Sequence, residues 1–206
     1  MGFREDPLGF KPWHLCALSN RFDDPARKFR TNYCSREATT AIRESLKDLR
    51  PDTRALAEFG QLFGRSGVPR ASLPRPAVPL VWRQNHVLIA ARIETTGPLV
   101  DLEDLGLRRE LALELAPALA EAGIRHLDIA ELRGQRRAIT QQLARHLFST
   151  RAAAGVAYRS HVDDCPCAAL FEHRSRLIAE GDPIALTESL PELHQVCDEF
   201  GLDLSE

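Results

Sequence analysis

The stretch NRFDDPARKFRTNYCSREATTAIRESL, residues 20–46, runs from an arginine through an aromatic residue into a helix that carries a glutamate. We expect Ser35 to cap this helix and Glu37 to lie in its first turn, where a carboxylate interacts favourably with the helix dipole. Pro51 ends the helix, because the residue before a proline disfavours the α region. Residues at helical spacing predict one buried face, formed by Ala38, Ala41, Ile42, Ser45, Leu46 and Leu49.

Three residues of this stretch have both an ordinary and a functional interpretation. Glu44 lies off the apolar stripe, where an ion pair with Lys47 would contribute only about 0.2–0.5 kcal/mol. Arg21 can pair on the surface with one of the two aspartates that follow it. Tyr33 can pack as a hydrophobic staple against the first turn of the helix. The functional alternative is that all three side chains belong to one site.

The rest of the chain mixes helix-like and strand-like segments. A short helix is predicted at 52–62, followed by a proline-rich extended connection at 67–79. The apolar and alternating runs predict strands at 80–84, 86–94, 98–102, 155–160 and 167–172. Helical periodicity predicts helices at 107–119, interrupted at Pro117, at 134–148 and at 191–200.

This order of elements favours an α+β fold in a single domain. Strands and helices do not alternate regularly, which argues against a doubly wound parallel sheet. The sequence contains neither GxGxxG nor GxxxxGK[ST] and no internal repeat. A chain of 206 residues, 44% of them hydrophobic, is long enough to bury a substantial core.

Composition excludes several classes of protein. A formal net charge of −2 does not suit a general nucleic-acid binder, so we expect no direct nucleic-acid contact. The first residues do not resemble a signal peptide, and no apolar run approaches the roughly 20 residues needed to span a bilayer. Five cysteines at irregular spacing favour a reduced, cytoplasmic protein without membrane contact.

Two further patterns suggest chemistry only weakly. Cys165 and Cys167 form a CxC pair with His161 and His173 as the nearest additional zinc ligands, but two small residues at a strand start explain the pair better. Ser160 precedes a histidine and an aspartate, yet the members of a catalytic triad seldom lie consecutively, and the sequence has no GxSxG elbow. We therefore expect neither a metal site nor a serine hydrolase.

Taken together, RFDDPARKFRTNYCSREATTAIRESL, AITQQLARHLF and GVAYRSHVDDCPCAALFE resemble the RES-domain family, over about residues 13–176. The family is named for an Arg, a Glu and a Ser, which correspond to Arg21, Glu44 and Ser160. Tyr33 corresponds to the aromatic residue between the first two. Asn20 stands where the family usually has Gly; Asn is the other residue that best tolerates a positive φ.

The helix motif of the family is matched by Thr140 and Gln141, for which we expect no particular chemical role. The resemblance divides the chain into an N-terminal arm at 1–12, a RES-like domain at 13–176 and a C-terminal helical extension at 177–206. It also implies an ADP-ribosyltransferase-like fold, with a mixed β core flanked by helices.

The function that the resemblance implies is consumption of NAD+ as a substrate. Cleavage of the nicotinamide–ribose bond would proceed by hydrolysis or phosphorolysis. RES proteins are typically toxins of toxin–antitoxin pairs, and the expected partner is an Xre-type helix-turn-helix antitoxin; a homodimer stays open as another partner. The alternatives are ADP-ribosyl transfer to a macromolecule and a non-enzymatic interaction module.

The residue types suit this chemistry. A carboxylate such as Glu44 can stabilise an oxocarbenium-like ribose and hold its 2′-hydroxyl. Arg21 can bind the pyrophosphate with two parallel hydrogen bonds. Tyr33 offers a flat face and a hydroxyl to the nicotinamide or its ribose. Ser160 can hydrogen-bond the nicotinamide ribose or its amide, and water or phosphate would be the nucleophile.

Overall fold

The computed structural model describes residues 1–52, 54, 57–58, 75–134 and 136–204. Most of the predicted helix at 52–62 and most of the proline-rich connection at 67–79 lie outside these residues. The chain forms two compact units, each assembled from separate segments. The first unit comprises Met1–Pro7, Ala38–Leu88 and Pro183–Glu206, and the second comprises Leu8–Glu37 and Ile89–Asp182.

The described residues contain both helices and strands, as an α+β fold requires. The strands are β1 (Gly2–Phe3), β2 (Thr31–Ser35), β3 (Ala77–Val78), β4 (His86–Leu88), β5 (Ala91–Thr95), β6 (Leu99–Asp101), β7 (Gly155–Arg159), β8 (Pro166–Phe171), β9 (Ser175–Ala179), β10 (Ile184–Ala185) and β11 (Asp203–Leu204). The helices are α1 (Ala38–Leu46), α2 (Leu80–Asn85), α3 (Leu105–Glu114), α4 (Ala116–Glu121), α5 (Ile129–Arg133), α6 (Arg137–Thr150) and α7 (Pro191–Phe200). Short 3₁₀ turns occur at Trp13–Leu15 and Lys47–Leu49.

The second unit is built on a mixed sheet with the strand order β2-β8-β7-β6. β8 pairs antiparallel with β2 and with β7, whereas β6 pairs parallel with β7. In this register Tyr33 of β2 lies opposite Ala169 of β8. β5 and β9 form a separate antiparallel pair. The combination of antiparallel and parallel pairs is the mixed β core that the sequence analysis expected.

Helix α6 packs its apolar face into the core of the second unit. Leu143 and Leu147, four residues apart and therefore on one helix face, are fully buried. Two phenylalanines of the core, Phe29 and Phe171, have ring centroids 4.5 Å apart, a favourable tilted arrangement. The opposite, polar face of α6 is consequently available to hold the loops around it.

Arg30, directly before β2, and Asn32 of β2 hold the N-terminal segment of the second unit. Arg30 donates to the carbonyls of Phe10 and Lys11, and its Nε donates to Glu172 Oε2 over 2.8 Å. Asn32 Nδ2 donates to the carbonyls of residues 8 and 9. Since β2 is an edge strand of the sheet, these contacts tie a segment of chain to an edge that would otherwise attract another strand.

The first unit has its own apolar core, to which α1 and α7 contribute. Ile42 and Leu46 of α1 are fully buried, as their spacing predicts. The exposed Ala38 and Ser45 lie outside that buried face, so the stripe is narrower than expected. In this unit β4 pairs antiparallel with β1 and β10, and β3 pairs parallel with β11. Gly201 ends α7 in the left-handed region, with φ of 65°, where glycine has no Cβ penalty.

Most predicted elements are present, and two local predictions are wrong. Residues 80–84, expected as a strand, form the helix α2, because a run this short suits a strand or a helical turn equally well. Ser35 does not cap α1; it ends β2, and its hydroxyl donates to the Glu37 carbonyl. The strand predicted at 86–94 is divided into β4 and β5. Within the described part of the chain, no helix has the length and apolarity needed to cross a membrane.

Candidate functional site

The loop at 18–24 presents Arg21 and is closed by its own hydrogen bonds. The buried Asp23 accepts a hydrogen bond from the Asn20 amide at Oδ2 over 2.8 Å. Its other carboxylate oxygen accepts a bond of 3.0 Å from the Tyr33 hydroxyl. The same hydroxyl accepts a bond of 2.9 Å from the Phe22 amide. Tyr33 therefore fixes the backbone immediately after Arg21.

Tyr33 lies in β2, where its ring packs against the core of the second unit. Burial raises the pKa of the Tyr33 hydroxyl well above its ordinary value, and the neighbouring Asp23 carboxylate raises that pKa further. The neutral phenol is the form that can donate to Asp23. Tyr33 thus acts as a hydrogen-bonding strut for the loop.

The polar face of α6 holds the other side of this loop. Gln141 Nε2 donates to the carbonyls of Leu18 and Asn20, over 3.0 and 2.9 Å. One turn earlier on the helix, Arg137 donates to the carbonyl of Ser19. The spacing of four residues puts these side chains on one helix face. Each backbone carbonyl from 18 to 20 therefore receives a hydrogen bond from α6.

Asp24 anchors the end of the loop from inside the protein. Its side chain is fully buried and accepts hydrogen bonds from the amides of Ala26 and Lys28, over 3.0 and 2.8 Å. Arg145, one turn beyond Gln141 on α6, donates from Nε to Asp24 Oδ1 over 2.9 Å. Asp23 and Asp24 are both buried, whereas the sequence suggested that one of them pairs with Arg21 on the surface.

The Arg21 guanidinium reaches the end of α5, where Nη2 donates to the Arg133 carbonyl over 3.1 Å. Arg133 itself links two neighbouring segments by ion pairs. Its guanidinium lies 3.1 Å from Glu103 Oε1 and 2.8 Å from Asp164 Oδ1. Arg133 therefore connects the loop that carries Arg21 with the turn between β7 and β8.

Ser160 begins that turn and is only 1% exposed. Its Oγ accepts a hydrogen bond of 3.1 Å from the Val162 amide, and its carbonyl accepts one from the Asp164 amide. Asp163 Oδ1 accepts from the Cys165 amide over 3.2 Å, as in an Asx turn. These bonds hold a tight connection in which Asp164 adopts a φ of 60°.

Ser160 and Arg133 line the same solvent-open pocket, whose volume is about 590 Å³. Gly134 and the turn residues after Ser160 complete its wall, so the pocket lies between the end of α5 and the β7–β8 turn. The hydrogen bond from Arg21 to the Arg133 carbonyl brings Arg21 to the residue that forms this wall. Arg21, Tyr33 and Ser160 all belong to the second unit, in which Arg21 donates to the carbonyl of Arg133, and Arg133 lines the pocket with Ser160.

Glu44 belongs to the first unit, where it lies on α1 away from the buried positions. Its Oε2 is 2.9 Å from Lys47 Nζ, and the two side chains are 23% and 21% exposed. The ion pair predicted from their spacing is confirmed. The carboxylate is partly accessible and is not required by the apolar packing of Ile42 and Leu46.

The sequence analysis missed the residues that hold the Arg21 loop. It gave Gln141 no role and did not consider Arg145 or Arg133. The spacing of polar residues along α6 was the available signal, because positions 137, 141 and 145 recur every four residues. Asn20, which would tolerate a positive φ, does not adopt one; the left-handed residue of this loop is Leu18, with φ of 52°.

The CxC pair lies at the start of β8, with Pro166 as the first residue of the strand. Within 1–52, 54, 57–58, 75–134 and 136–204, no group of three or more His, Cys, Asp or Glu side chains is arranged to hold a metal ion. Cys165 directly precedes the strand, and Cys167 is its second residue.

Comparison with known proteins agrees with the resemblance of the motifs. The family model described as RES domain matches residues 7–188 of the 206. No curated protein and no solved structure matches the chain. RES domains have an ADP-ribosyltransferase-like fold and are generally linked to enzymes that act on NAD+. With its α+β fold and a match over most of its length, the chain belongs to the RES-domain family.

Proposed function

We propose that this protein is an enzyme that consumes NAD+ by cleaving the nicotinamide–ribose bond, and that it is the toxin of a toxin–antitoxin pair. The observation that carries the proposal is the fixed loop of Arg21, which is held by Tyr33 and Gln141 beside the pocket lined by Ser160. The link of the family to NAD+ supplies the substrate class.

Arg21 binds the pyrophosphate of NAD+ in this proposal. The pyrophosphate carries two negative charges, and a planar guanidinium can donate two parallel hydrogen bonds to its oxygens. The loop that carries Arg21 is already ordered by bonds to Asp23, Tyr33 and Gln141. A cation whose backbone is fixed before the substrate arrives loses less conformational entropy on binding.

Glu44 stabilises the positive charge that develops on the ribose. Nicotinamide leaves as a neutral ring and needs no acid, so the main barrier is the oxocarbenium-like sugar. A carboxylate that stabilises this charge lowers the energy of the transition state more than that of the ground state. The assignment of Glu44 rests on its match to the family motif and on its partial exposure.

Tyr33 and Ser160 have supporting roles. The Tyr33 hydroxyl is engaged by Asp23 and the Phe22 amide, which favours a role in positioning the loop. Direct contact of Tyr33 or Ser160 with the nicotinamide ribose stays a prediction. The nucleophile is water or phosphate in this proposal, so Ser160 does not need to be ionised.

The products of the reaction test the proposal. Purified protein, free of any antitoxin, is incubated with NAD+ in phosphate buffer and in phosphate-free buffer, and the products are separated chromatographically. Hydrolysis releases nicotinamide and ADP-ribose in both buffers, whereas phosphorolysis yields a phosphorylated ADP-ribose only with phosphate. Label transferred from NAD+ onto a protein band would instead support an ADP-ribosyltransferase. No nicotinamide release under either condition contradicts the proposal.

The toxin role requires a separate test. We expect induced expression of the wild-type chain in bacteria to lower cellular NAD+ and stop growth. Co-expression of the neighbouring gene is expected to restore growth, if that gene encodes a small helix-turn-helix protein. Growth that continues while the purified enzyme degrades NAD+ would contradict the toxin role without affecting the enzymatic proposal.

A further inference from the structure

The side-chain amide of Gln141 donates hydrogen bonds to the backbone of the loop at 18–24. Its amide nitrogen lies within hydrogen-bond distance of two carbonyl oxygens, those of Leu18 and Asn20. Carbonyl oxygens can only accept hydrogen bonds, so the amide nitrogen, with its two protons, must be the atom that faces them. Gln141 therefore bridges the backbone on either side of Ser19, directly before Arg21.

The rest of the loop depends on the same region of backbone. The Asn20 amide donates to Asp23, and the Asp23 amide is 3.4 Å from the Asn20 carbonyl. Asp23 in turn accepts from Tyr33. Loss of the Gln141 bonds would release the Asn20 carbonyl, which is shared between the α6 contact and the turn. The position of Arg21 is thus coupled to a helix residue that carries no charge.

We propose that Gln141 is a positioning residue for Arg21, and that binding of the NAD+ pyrophosphate depends on its two hydrogen bonds to the loop. This inference rests on the proposed function. Gln141 acts through the loop backbone without touching the reacting bond. Contacts to the pyrophosphate are made equally in the ground state and the transition state, so their loss raises KM and leaves kcat nearly unchanged.

The test compares Gln141→Met with Gln142→Met. Methionine has a similar length and helix propensity but cannot donate a hydrogen bond. Gln142 is the next residue on α6 and is exposed, so it provides a matched control. We expect Gln141→Met to raise KM for NAD+ roughly tenfold, the equivalent of about 1.4 kcal/mol, with kcat changed less than about twofold. Gln142→Met should leave both constants unchanged.

Hydrogen exchange of the amides at 18–24 gives a readout that does not need NAD+. In Gln141→Met, the amides of Asn20, Phe22 and Asp23 should exchange roughly tenfold faster, while the core strands keep their protection. A second variant, Gln141→Lys, retains donors at the end of a long side chain and should recover part of the protection and of the affinity.

The outcomes separate the two proposals. Unchanged exchange at 18–24, or a fall in kcat with KM unchanged, would overturn the role of Gln141. Equal effects of the Gln141 and Gln142 substitutions would also overturn it. If the wild-type protein releases no nicotinamide, the proposed function fails, and the exchange rates alone decide whether Gln141 positions the loop.

Discussion

The Tyr33 hydroxyl donates a hydrogen bond of 3.0 Å to the buried Asp23 carboxylate and accepts one of 2.9 Å from the Phe22 amide. The side chain of Tyr33, in strand β2, thereby holds the two residues that follow Arg21. The side chains of Asp23, Tyr33 and Gln141 thus hold this loop in addition to its backbone contacts. The predictions below follow from this arrangement and from the ion pairs around it.

Tyr33 should resist ionisation in the folded protein. The chain has two tyrosines, so Tyr158→Phe leaves Tyr33 as the only phenol. Its pKa is raised well above the ordinary value, first by burial and then by the charge of Asp23. The stabilisation from the neutral phenol is present below the unfolded pKa of about 10 and is lost as the pH rises toward the folded pKa.

The ultraviolet absorbance of the phenolate, followed against pH, measures this pKa in the Tyr158→Phe variant. We expect the signal to appear only together with alkaline unfolding. The same variant in denaturant should titrate near the ordinary value and is the control. A folded protein whose single tyrosine titrates normally would contradict the role of Tyr33 as a buried donor.

Glu172→Gln should lower stability, and the effect should depend on pH. Arg30 donates to both carboxylate oxygens, and this hydrogen bonding holds the pKa of Glu172 below its ordinary value. We expect a loss of about 1–3 kcal/mol in the free energy of unfolding at neutral pH, measured by denaturant titration. The matched control is Glu180→Gln, because Glu180 forms an exposed ion pair with Arg92 that contributes little.

The sign of the pH effect follows from the lowered pKa of Glu172. The contribution of the carboxylate is present above the unfolded pKa of about 4.3 and is lost as the pH falls through the folded pKa. The stabilities of the wild type and of Glu172→Gln should therefore converge in acid. If the difference in free energy of unfolding between the two proteins stays constant until acid unfolds them, the ionised carboxylate of Glu172 is not the source of the stabilisation.

Asp24→Asn should destabilise the protein more than Arg145→Gln does. The buried Asp24 carboxylate accepts two backbone amides as well as the Arg145 guanidinium. In Asp24→Asn the new side-chain NH₂ group faces groups that also donate hydrogen bonds. We therefore expect the free energy of unfolding to fall by about 2–3 kcal/mol. Arg145 is 38% exposed, and its removal leaves Asp24 its two amide donors. Equal losses in thermal unfolding would indicate that the ion pair, and not the backbone capping, holds the loop.

Arg21→Ala should raise KM for NAD+ more than Gln141→Met does, so that cleavage at low NAD+ concentration is lost, without unfolding the protein. The side chain is partly exposed and lies outside the apolar core of the second unit. Arg21→Lys keeps the charge but not the planar fork, so it should retain a small part of the affinity. Arg36→Ala removes an exposed arginine that directly follows β2, and it is the control. Turnover of Arg21→Ala at the wild-type KM and kcat would exclude the pyrophosphate contact.

The sequence predicted best where local pattern determines structure. The helical spacing of Leu143 and Leu147 and the apolar run of β7 correctly predicted two elements of the second unit. Residues 80–84 were misassigned because five apolar and polar positions suit a strand or a helical turn equally well. The interleaving of distant segments into two units could not be predicted, since no local pattern encodes which segments pack together.

The candidate site was predictable only in part, for a related reason. Arg21, Tyr33, Glu44 and Ser160 were identified through their family motifs, not through spacing. The contacts between α6 and the Arg21 loop join residues far apart in sequence, such as Asn20 and Gln141, which are 121 positions apart. Such contacts depend on the packing of α6 against the sheet. The sequence motifs therefore identified the candidate site residues, whereas the side chains that hold the Arg21 loop are seen only in the structure.

The central claim is that Glu44 enables cleavage of the nicotinamide–ribose bond, and the rate of nicotinamide release by Glu44→Gln tests it most directly. The ion pair with Lys47 contributes only about 0.2–0.5 kcal/mol, so the variant should fold like the wild type. Glu37→Gln, an exposed neighbour, is the control and should keep the wild-type rate. We predict release by the wild type and a loss of at least about 100-fold in Glu44→Gln. A folded Glu44→Gln that releases nicotinamide at the wild-type rate would contradict the account.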